Sequence, residues 1–411
     1  MLPAITPQTP IKALSHCPQA AGLRDSEGGF SVLADAPQGA VPGRLAVIMD
    51  ATELQPALME AVNEARNSIK ADFHLLRGRE GQELARQLAR RVRQGIRVQI
   101  LAWGQPTAAF AEAVKVARSQ GLTVRIGQGP AMAEGTGSFL LVDDRLALVG
   151  AARATESAHA RQGLLRLAGE AAIELGRQFN HDWAASGGTP LPLPEMGRRS
   201  RFSTHELASM VQIGGAGPQR KAAKALLLAA FGKARASLMV MAGVLEDAEV
   251  VAALVAAKKR GVAVKVIVGD SGRAVAALTA AGIPVRRYQA HGGPQAVAAH
   301  YAVADGETLL WGTAPWSRAG LASAGELLVA AHGGREVALL QASFVHDWQM
   351  AVPASAPRGL ARLKAEVQPL IQELSRLIGQ YSPVAPARSL MNTKVGVVRV
   401  GKKIKWVAER P

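Results

Sequence analysis

The sequence predicts an α/β protein made of two duplicated lobes, each a mixed sheet flanked by helices, followed by a small basic C-terminal extension. Three observations carry this expectation. Short β-like runs alternate with helical runs from residue 44 onward, which implies parallel strand pairs with helices packed on the sheet faces. The same order of elements is then replayed at offsets that stay between 161 and 169 residues. Each copy closes on nearly the same five residues, FNHDW ending at Trp183 and FVHDW ending at Trp348. A chain of 411 residues is long enough for both copies to bury a core.

Residues 1–44 are rich in Pro, Gly and Ala without periodicity and read as an irregular N-terminal arm. The first lobe is expected over 45–186. RLAVIMD (44–50) reads as a strand, ELQPALMEAVNEARNSI (53–69) as an amphipathic helix and KADFHLL (70–76) as a strand. EGQELARQLARRVRQG (80–95) is helical, IRVQILAW (96–103) a strand, a helix follows near 107–119, and LTVRIGQ (122–128) is a strand. Two further strands, SFLLVDD and LALVG, precede a helix that runs into FNHDW. Residues 187–218, with SGGTPLPLPEMGRRSRF and IGGAGP, have the composition of a linker.

The second lobe is expected over 219–352. ARASLMVMAGVL (234–245) answers ARNSIKADFHLL, and KRGVAVKVIVG (259–269) answers RQGIRVQILAW. AAGIPVRRYQ (280–289) answers SQGLTVRIGQ, and YAVADGETLLWG (301–312) answers FLLVDDRLALVG (139–150). The extension, 353–411, contains a run with helical apolar spacing at 359–381, despite Pro369, and a hairpin around a basic turn at 394–409.

Composition narrows the function classes. Hydrophobic content of 48% with 19% charged residues is that of a folded chain. The single cysteine, Cys17, excludes an internal disulfide framework and a Cys-rich metal site, so a reducing compartment is expected. LSHC at 14–17 lacks the apolar run a lipid-attachment box needs. The most apolar stretch, 225–245, carries Lys233 and Arg235 in its middle, which bilayer insertion would make costly. With neither a span nor a cleavable signal visible, the expected location is the cytoplasm, or the inner face of a membrane. Net charge is +16, and half of that excess, +8, falls from Arg358 onward. Such a distribution points to an anionic partner, nucleic acid or an anionic phospholipid surface.

LLVDDRLALVG (140–150) and AVADGETLLWG (302–312), each followed by its Phe-x-His-Asp-Trp element, resemble the signature of the phospholipase D superfamily. LMEAVNEARNSIKADFHLL (58–76) is similar to the entry into the first half of a bacterial cardiolipin synthase. The resemblance covers about 45–350 and implies two α/β halves, related by pseudo-twofold symmetry, each giving a His-x-Lys-x4-Asp motif to a shared cleft. It implies a reaction in which one His attacks phosphorus, the other protonates the leaving oxygen, two Lys stabilise the transition state and each Asp orients its His. It calls for no cofactor and no metal.

Against that pattern both motifs are degenerate. Thr136 stands at the first His position and Ser138 at the Lys position before Asp143; Ala298 and His300 stand there before Asp305. The Asn expected after the Val-Gly run is replaced by Arg153 and Pro315. No histidine lies between Trp103 and Ala158, and His159 is too far along to substitute, so only the second half, with His300 and nearby His291, retains imidazoles near its motif. The two Asp are expected in turns between strands, a role Asp fills without catalysis. The aromatics of the closing elements are expected in the core, and His181 and His346 at helix C-termini, where a cation is favoured.

The expectation is therefore a catalytically silent scaffold that binds an anionic partner or joins a protein assembly; the alternative is a divergent phosphodiesterase or phosphatidyltransferase using His300. The anion-binding candidates are Arg198, Arg199 and Arg201 in the linker, and Lys394, Arg399, Lys402, Lys403, Lys405 and Trp406 around the terminal hairpin. GGAGPQRKAAK (214–224) is a weaker anion seat that lacks a nucleotide P-loop ending, and GDSGR (269–273) only imitates a protease nucleophile signature.

Overall fold

The computed structural model describes residues 41–76, 78–103, 108–127, 138–151, 160–194, 209–215, 222–269, 272–290, 293–294, 297–322, 326–333, 335–354, 394–400 and 403–409. The first half runs β1 (Val41–Ile48), α1 (Ala51–Glu64), β2 (Ser68–Asp72), α2 (Gly78–Arg93), β3 (Arg97–Ala102), α3 (Ala108–Ser119) and β4 (Thr123–Ile126). It ends with β5 (Ser138–Val142), β6 (Leu146–Ala151), β7 (Gly163–Gly169) and α4 (Glu170–Ala185). The second half repeats this as β8 (Ser209–Gly215), α5 (Ala222–Lys233), β9 (Ser237–Ala242), α6 (Ala248–Lys259), β10 (Ala263–Val268), α7 (Arg273–Ala280) and β11 (Val285–Arg287). After a small ribbon, β12 (Gln289–Ala290) with β13 (Gly293–Pro294), come β14 (His300–Ala304), β15 (Thr308–Gly312), β16 (Leu327–His332) and α8 (Arg335–Met350). Beyond them are β17 (Val352–Pro353) and the separate hairpin of β18 (Lys394–Val400) and β19 (Lys403–Glu409).

Local chemistry accounts for the boundaries. Asp50 caps α1 by accepting from the Thr52 N–H at 2.9 Å, and Asp247 caps α6 by accepting from Glu249 and Val250. α1 buries Leu54, Leu58, Ala61 and Val62, one face of a helix, and α6 buries Val250, Leu254 and Ala257. Each such Leu or Val contributes about 1.5–3 kcal/mol of burial. Gly95 and Gly261 follow α2 and α6 with φ of 88° and 94°, the left-handed conformation that ends a helix cheaply only at glycine.

The two halves share one 15-stranded sheet of order β17-β11-β10-β9-β14-β15-β16-β8-β1-β7-β6-β5-β2-β3-β4. Read from the centre outward the order is the same on both sides, apart from the added β17, so the halves are related by a pseudo-twofold. The centre is the antiparallel β1–β8 pair, with Val41 opposite Val211 and Gly43 opposite Ser209. β2, β3 and β4 pair in parallel, as do β9, β10 and β11, and the other pairs, including β17 on β11, are antiparallel. The expected α/β architecture of duplicated mixed-sheet lobes is thus present, joined edge to edge.

Three strands of the duplicated set were not legible in advance. β8 lies inside 187–218, whose Gly and Pro content reads as linker; it is the counterpart of β1 and supplies the joining edge. β7 and β16, GLLRLAG and LLVAAH, are short apolar runs beside helices, and such runs carry no period that separates strand from helix.

One core cluster contains residues from both halves, including Leu141, Val149, Leu165 and Phe179 with Met241, Tyr301, Trp311 and Phe344. Two others sit under the remaining helices, one within each half. No helix among the described residues is long and apolar enough to cross a membrane.

Candidate functional site at the junction of the halves

β5 and β14 occupy equivalent places and begin on equivalent residues. Ser138 lies opposite Gly150, and His300 lies between Ala242 of β9 and Gly312 of β15. These are the two Lys positions of the degenerate motifs. Thr136 and Arg153 lie outside the described residues, as do His159 and His291; the side chain of Ser138 is likewise not described. At the second His position, Ala298 is 8% exposed. Its N–H donates to the carbonyl of Arg161 in the first half at 2.9 Å, and the Ala299 N–H donates to the same oxygen at 3.0 Å. The backbones of the two halves are therefore hydrogen-bonded together at the level of the second motif.

His300 is 1% exposed, and neither ring nitrogen has a hydrogen-bond partner. Its ring abuts the backbone of Gly243, where an added Cβ would lie 3.4 Å from Nε2. Desolvation by its complete burial lowers its pKa to about 4. The imidazole is therefore neutral at pH 7 and supplies no positive charge where the motif has a lysine. Pro315 is buried.

Asp143 and Asp305 do the same structural job in their two halves. Asp143 has φ 53° and accepts from the N–H groups of Arg66, Asn67 and Ser68 at 2.9, 2.7 and 2.8 Å. Asp305 has φ 55° and accepts from Arg235, Ala236 and Ser237 at 2.9, 2.7 and 2.8 Å. Each carboxylate sits in a strand turn and ties it to the loop entering β2 or β9. Burial alone would raise the pKa of Asp305, but the three N–H donors outweigh it and hold the carboxyl below its ordinary value.

Side chains fill the junction beside this level. Trp311 of β15 is fully buried and donates its indole N–H to the carbonyl of Val149, its own counterpart in β6, at 2.9 Å. Tyr301 stacks on it with centroids 5.8 Å apart and planes 6° from parallel. Two first-half glycines make room for the indole: a Cβ on Gly150 would lie 3.0 Å from Nε1, and one on Gly163 would lie 2.7 Å from the ring. Arg161 spans the same boundary. Its Nε bonds Asp347 of α8 at 2.9 Å, while its terminal nitrogens donate to the Met49 carbonyl at 3.0 Å and the Ser343 hydroxyl at 2.7 Å. Desolvation would lower the Arg161 pKa, but the ion pair with Asp347 outweighs it and holds the pKa above the ordinary value, so the guanidinium stays charged.

The closing elements pack as their aromatics suggest. Phe179 stacks on Trp183 at 5.7 Å and Phe344 on Trp348 at 5.9 Å. His181 is exposed and lies 3.4 Å from Asp182, and His346 is exposed on α8. Asp347 is the functional surprise of this motif, since its partner, Arg161, is 186 residues away.

The basic candidates are not brought to this junction by any described contact. Arg198, Arg199, Arg201 and Lys402 lie outside the described residues. Lys394, Arg399, Lys403, Lys405 and Trp406 are placed by backbone only, with Trp406 opposite Val397 and Lys405 opposite Val398. Of the glycine-rich anion seat, 216–221 lie outside the described residues, and its Lys224 pairs with Asp247 at 2.9 Å and Glu249 at 2.7 Å. Among the described residues no cluster of His, Cys, Asp and Glu could hold a metal. Sequence reasoning missed Trp311 and Arg161; the one signal for Trp311 was a bulky ring where the first copy has Val149.

Comparison with known proteins fits this architecture. Residues 227–348 match the family model described as "Cardiolipin synthase, PLD-like domain". A search of curated proteins finds no match. Among solved structures, phosphatidylserine synthase of Haemophilus influenzae Rd KW20 is similar at 11% identity and a TM-score of 0.59, over 87% of this chain and 99% of that one. Polyphosphate kinase from Porphyromonas gingivalis is similar at 12% identity and a TM-score of 0.50, over 82% of this chain and 53% of that one. Nuc, a phospholipase D family member from Salmonella typhimurium, aligns at 26% identity with a TM-score of 0.32, over 35% of this chain and 97% of its own.

Proposed function

Starting from a second half that matches a phospholipase D-like domain and a fold of that kind across most of the chain, we propose that this protein is a scaffold of the phospholipase D superfamily that binds without turnover. The observation that carries the reading is the junction itself. Where two imidazoles would share a phosphate, Ala298 is bonded to the opposite half, and Trp311 and Arg161 fill the space beside it. A phosphoryl transfer by this route starts with a histidine nucleophile, and Ala298 has none to offer. His300 supports the alternative poorly, because it is sealed from solvent and neutral. The lobe bounds of 45–186 and 219–352 belong to the same proposal, extended at their N-terminal sides by β1 and β8.

The partner in this reading is polyanionic, either nucleic acid or an anionic phospholipid surface, met by the basic extension, and the protein works in the cytoplasm or at a membrane face. Five basic residues of the hairpin, Lys394, Arg399, Lys402, Lys403 and Lys405, stand near Trp406, whose ring suits base stacking or a lipid interface. If they engage duplex DNA, the affinity falls with a log–log salt slope of about −4.5, roughly several-hundredfold between about 50 and 200 mM salt.

Titrating duplex DNA and anionic vesicles at those two ionic strengths separates the two partners, and a chromogenic phosphodiester assays turnover beside it. Salt-steep binding to either one, without turnover, is expected. Turnover that disappears in His300→Ala establishes the enzyme reading instead. Absent or salt-insensitive binding to both removes the anionic partner and leaves a protein assembly as the scaffold's use.

A further inference from the structure

α2 and α6 are the same helix in the two halves, and their outward faces differ in charge. On α2, exposed Arg86, Arg90 and Arg93 recur at spacings of four and three residues and form one ridge, which exposed Arg97 continues as the first residue of β3. Counted from Gly95 and Gly261, which follow the two helices, their counterparts are exposed Ala252, Ala256, Lys259 and Ala263. Residues 81–97 carry five arginines against Glu83, whereas 247–263 carry Lys258, Lys259 and Arg260 against Asp247 and Glu249. Both halves build the same helix and strand, so the fold itself does not ask for the arginine ridge.

We propose that this ridge seats the phosphate backbone of a nucleic-acid duplex. Two more exposed arginines adjoin it. The Arg97 N–H donates to the Asn67 carbonyl at 3.2 Å, which brings in Arg66, and the Arg66 N–H donates to Asp143 at 2.9 Å, two residues from Arg145 in the β5–β6 turn. All of this lies at the Val142 end of β5, the opposite end from Ser138, so the surface is separate from the degenerate motifs. Among the described residues Arg66, Arg90, Arg93, Arg97 and Arg145 make no ion pair, whereas Arg86 pairs with Glu83 and Arg91 is committed to the Ala65 carbonyl and Gln94. Glu64 ends α1 and Glu170 begins α4 beside them, two acids against five unpaired arginines.

The dipole of α2 favours a cation in its last turn, as Lys258 and Lys259 serve α6, but it does not call for Arg97 in a strand or Arg145 in a turn. There the second half has Ala263 and Glu307. A duplex fits the ridge better than a lipid surface does. None of the exposed large hydrophobic side chains lies on α2 or the loops beside it, so nothing enters an acyl layer. The basic groups are all arginines, whose planar forks match phosphate oxygens two at a time. From Arg86 to Arg93 the ridge runs about 10 Å, the axial length of about three phosphates of one strand. The class of partner follows from the function proposed above, while the location follows from the ridge alone.

Duplex DNA titrated with the full chain between about 50 and 200 mM salt tests the ridge. Arg90→Ala with Arg97→Ala gives the first half the residues that the second half carries there. It is expected to flatten the log–log salt slope by about 1.8, so that roughly twelvefold less affinity is lost across that range. Arg90→Lys with Arg97→Lys keeps the charges and is expected to keep the wild-type slope. Should the alanine pair fail to fold by circular dichroism, Arg93→Ala with Arg145→Ala is expected to flatten the slope by the same amount. A slope that the alanine variants leave unmoved overturns the proposal, and so does one that the lysine pair flattens as much. Lys403→Ala with Lys405→Ala reads the hairpin separately: if that pair flattens the slope and the ridge variants do not, the hairpin reading stands and this one falls. Wild-type binding to anionic vesicles without binding to the duplex also overturns it, and absent binding to both removes it together with the anionic partner.

Discussion

Lys70 and Asp144 show how single residues distinguish two copies of one lobe. Lys70, in the middle of β2, and Asp144, in the β5–β6 turn, are 0% and 2% exposed and bonded at 2.7 and 2.9 Å. Burial pulls the lysine pKa down and pushes the aspartate pKa up, each offset in part by the other. Asp144 also sits at φ 52°, where its counterpart is Gly306 at φ 72°; the counterpart of Lys70 is Met239. The ion pair thus replaces a combination the second half makes with a thioether and a glycine. Lys70→Met alone strands a buried carboxylate and is expected to cost about 3–5 kcal/mol. Lys70→Met with Asp144→Gly copies the second half and is expected to fall within about 1 kcal/mol of wild type. Urea unfolding of both variants measures this; equal losses would mean that the pair does more than satisfy its own charges. The identities of Lys70 and Asp144 were plain in the sequence, but not their pairing, because 74 residues separate them.

At the scale of elements, each strand turn is anchored to a neighbouring loop by one carboxylate, and this part was readable. Asp in a turn after an apolar run is a local signal, and it marked Asp143 and Asp305 as turn residues from spacing alone. What it did not show is that each carboxylate takes three N–H donors from the loop ahead of β2 or β9. Because the Asp305 pKa is lowered in the folded state, its stabilisation is complete above the ordinary carboxylate range and fades as pH falls through that range and its lowered value. Asp305→Ala is expected to cost about 1–3 kcal/mol at neutral pH. Repeating the unfolding at successively lower pH below about 4 should bring variant and wild type together. A gap that stays constant with pH would mean that the carboxylate's charge plays no part. β7, β8 and β16 were missed at this same scale, for want of a period or under a linker composition.

Across the whole molecule, one sheet and one shared core make the duplicated halves a single cooperative unit. The β1–β8 pair, the Trp311 indole bond and the Arg161–Asp347 ion pair all cross the boundary. Calorimetry is expected to show one transition whose calorimetric and van't Hoff enthalpies agree, with Trp311→Ala lowering stability by about 3–5 kcal/mol. Two resolved transitions in the wild type would mean that the halves fold independently.

By itself the sequence determined the duplication, the α/β class, the degenerate motifs and the basic extension, all of which depend on neighbours a few residues apart or on repetition. Only the tertiary structure decided what occupies the junction. Trp311 reaches Val149 across 162 residues and Arg161 reaches Asp347 across 186, and no local spacing encodes a contact that folding alone brings together.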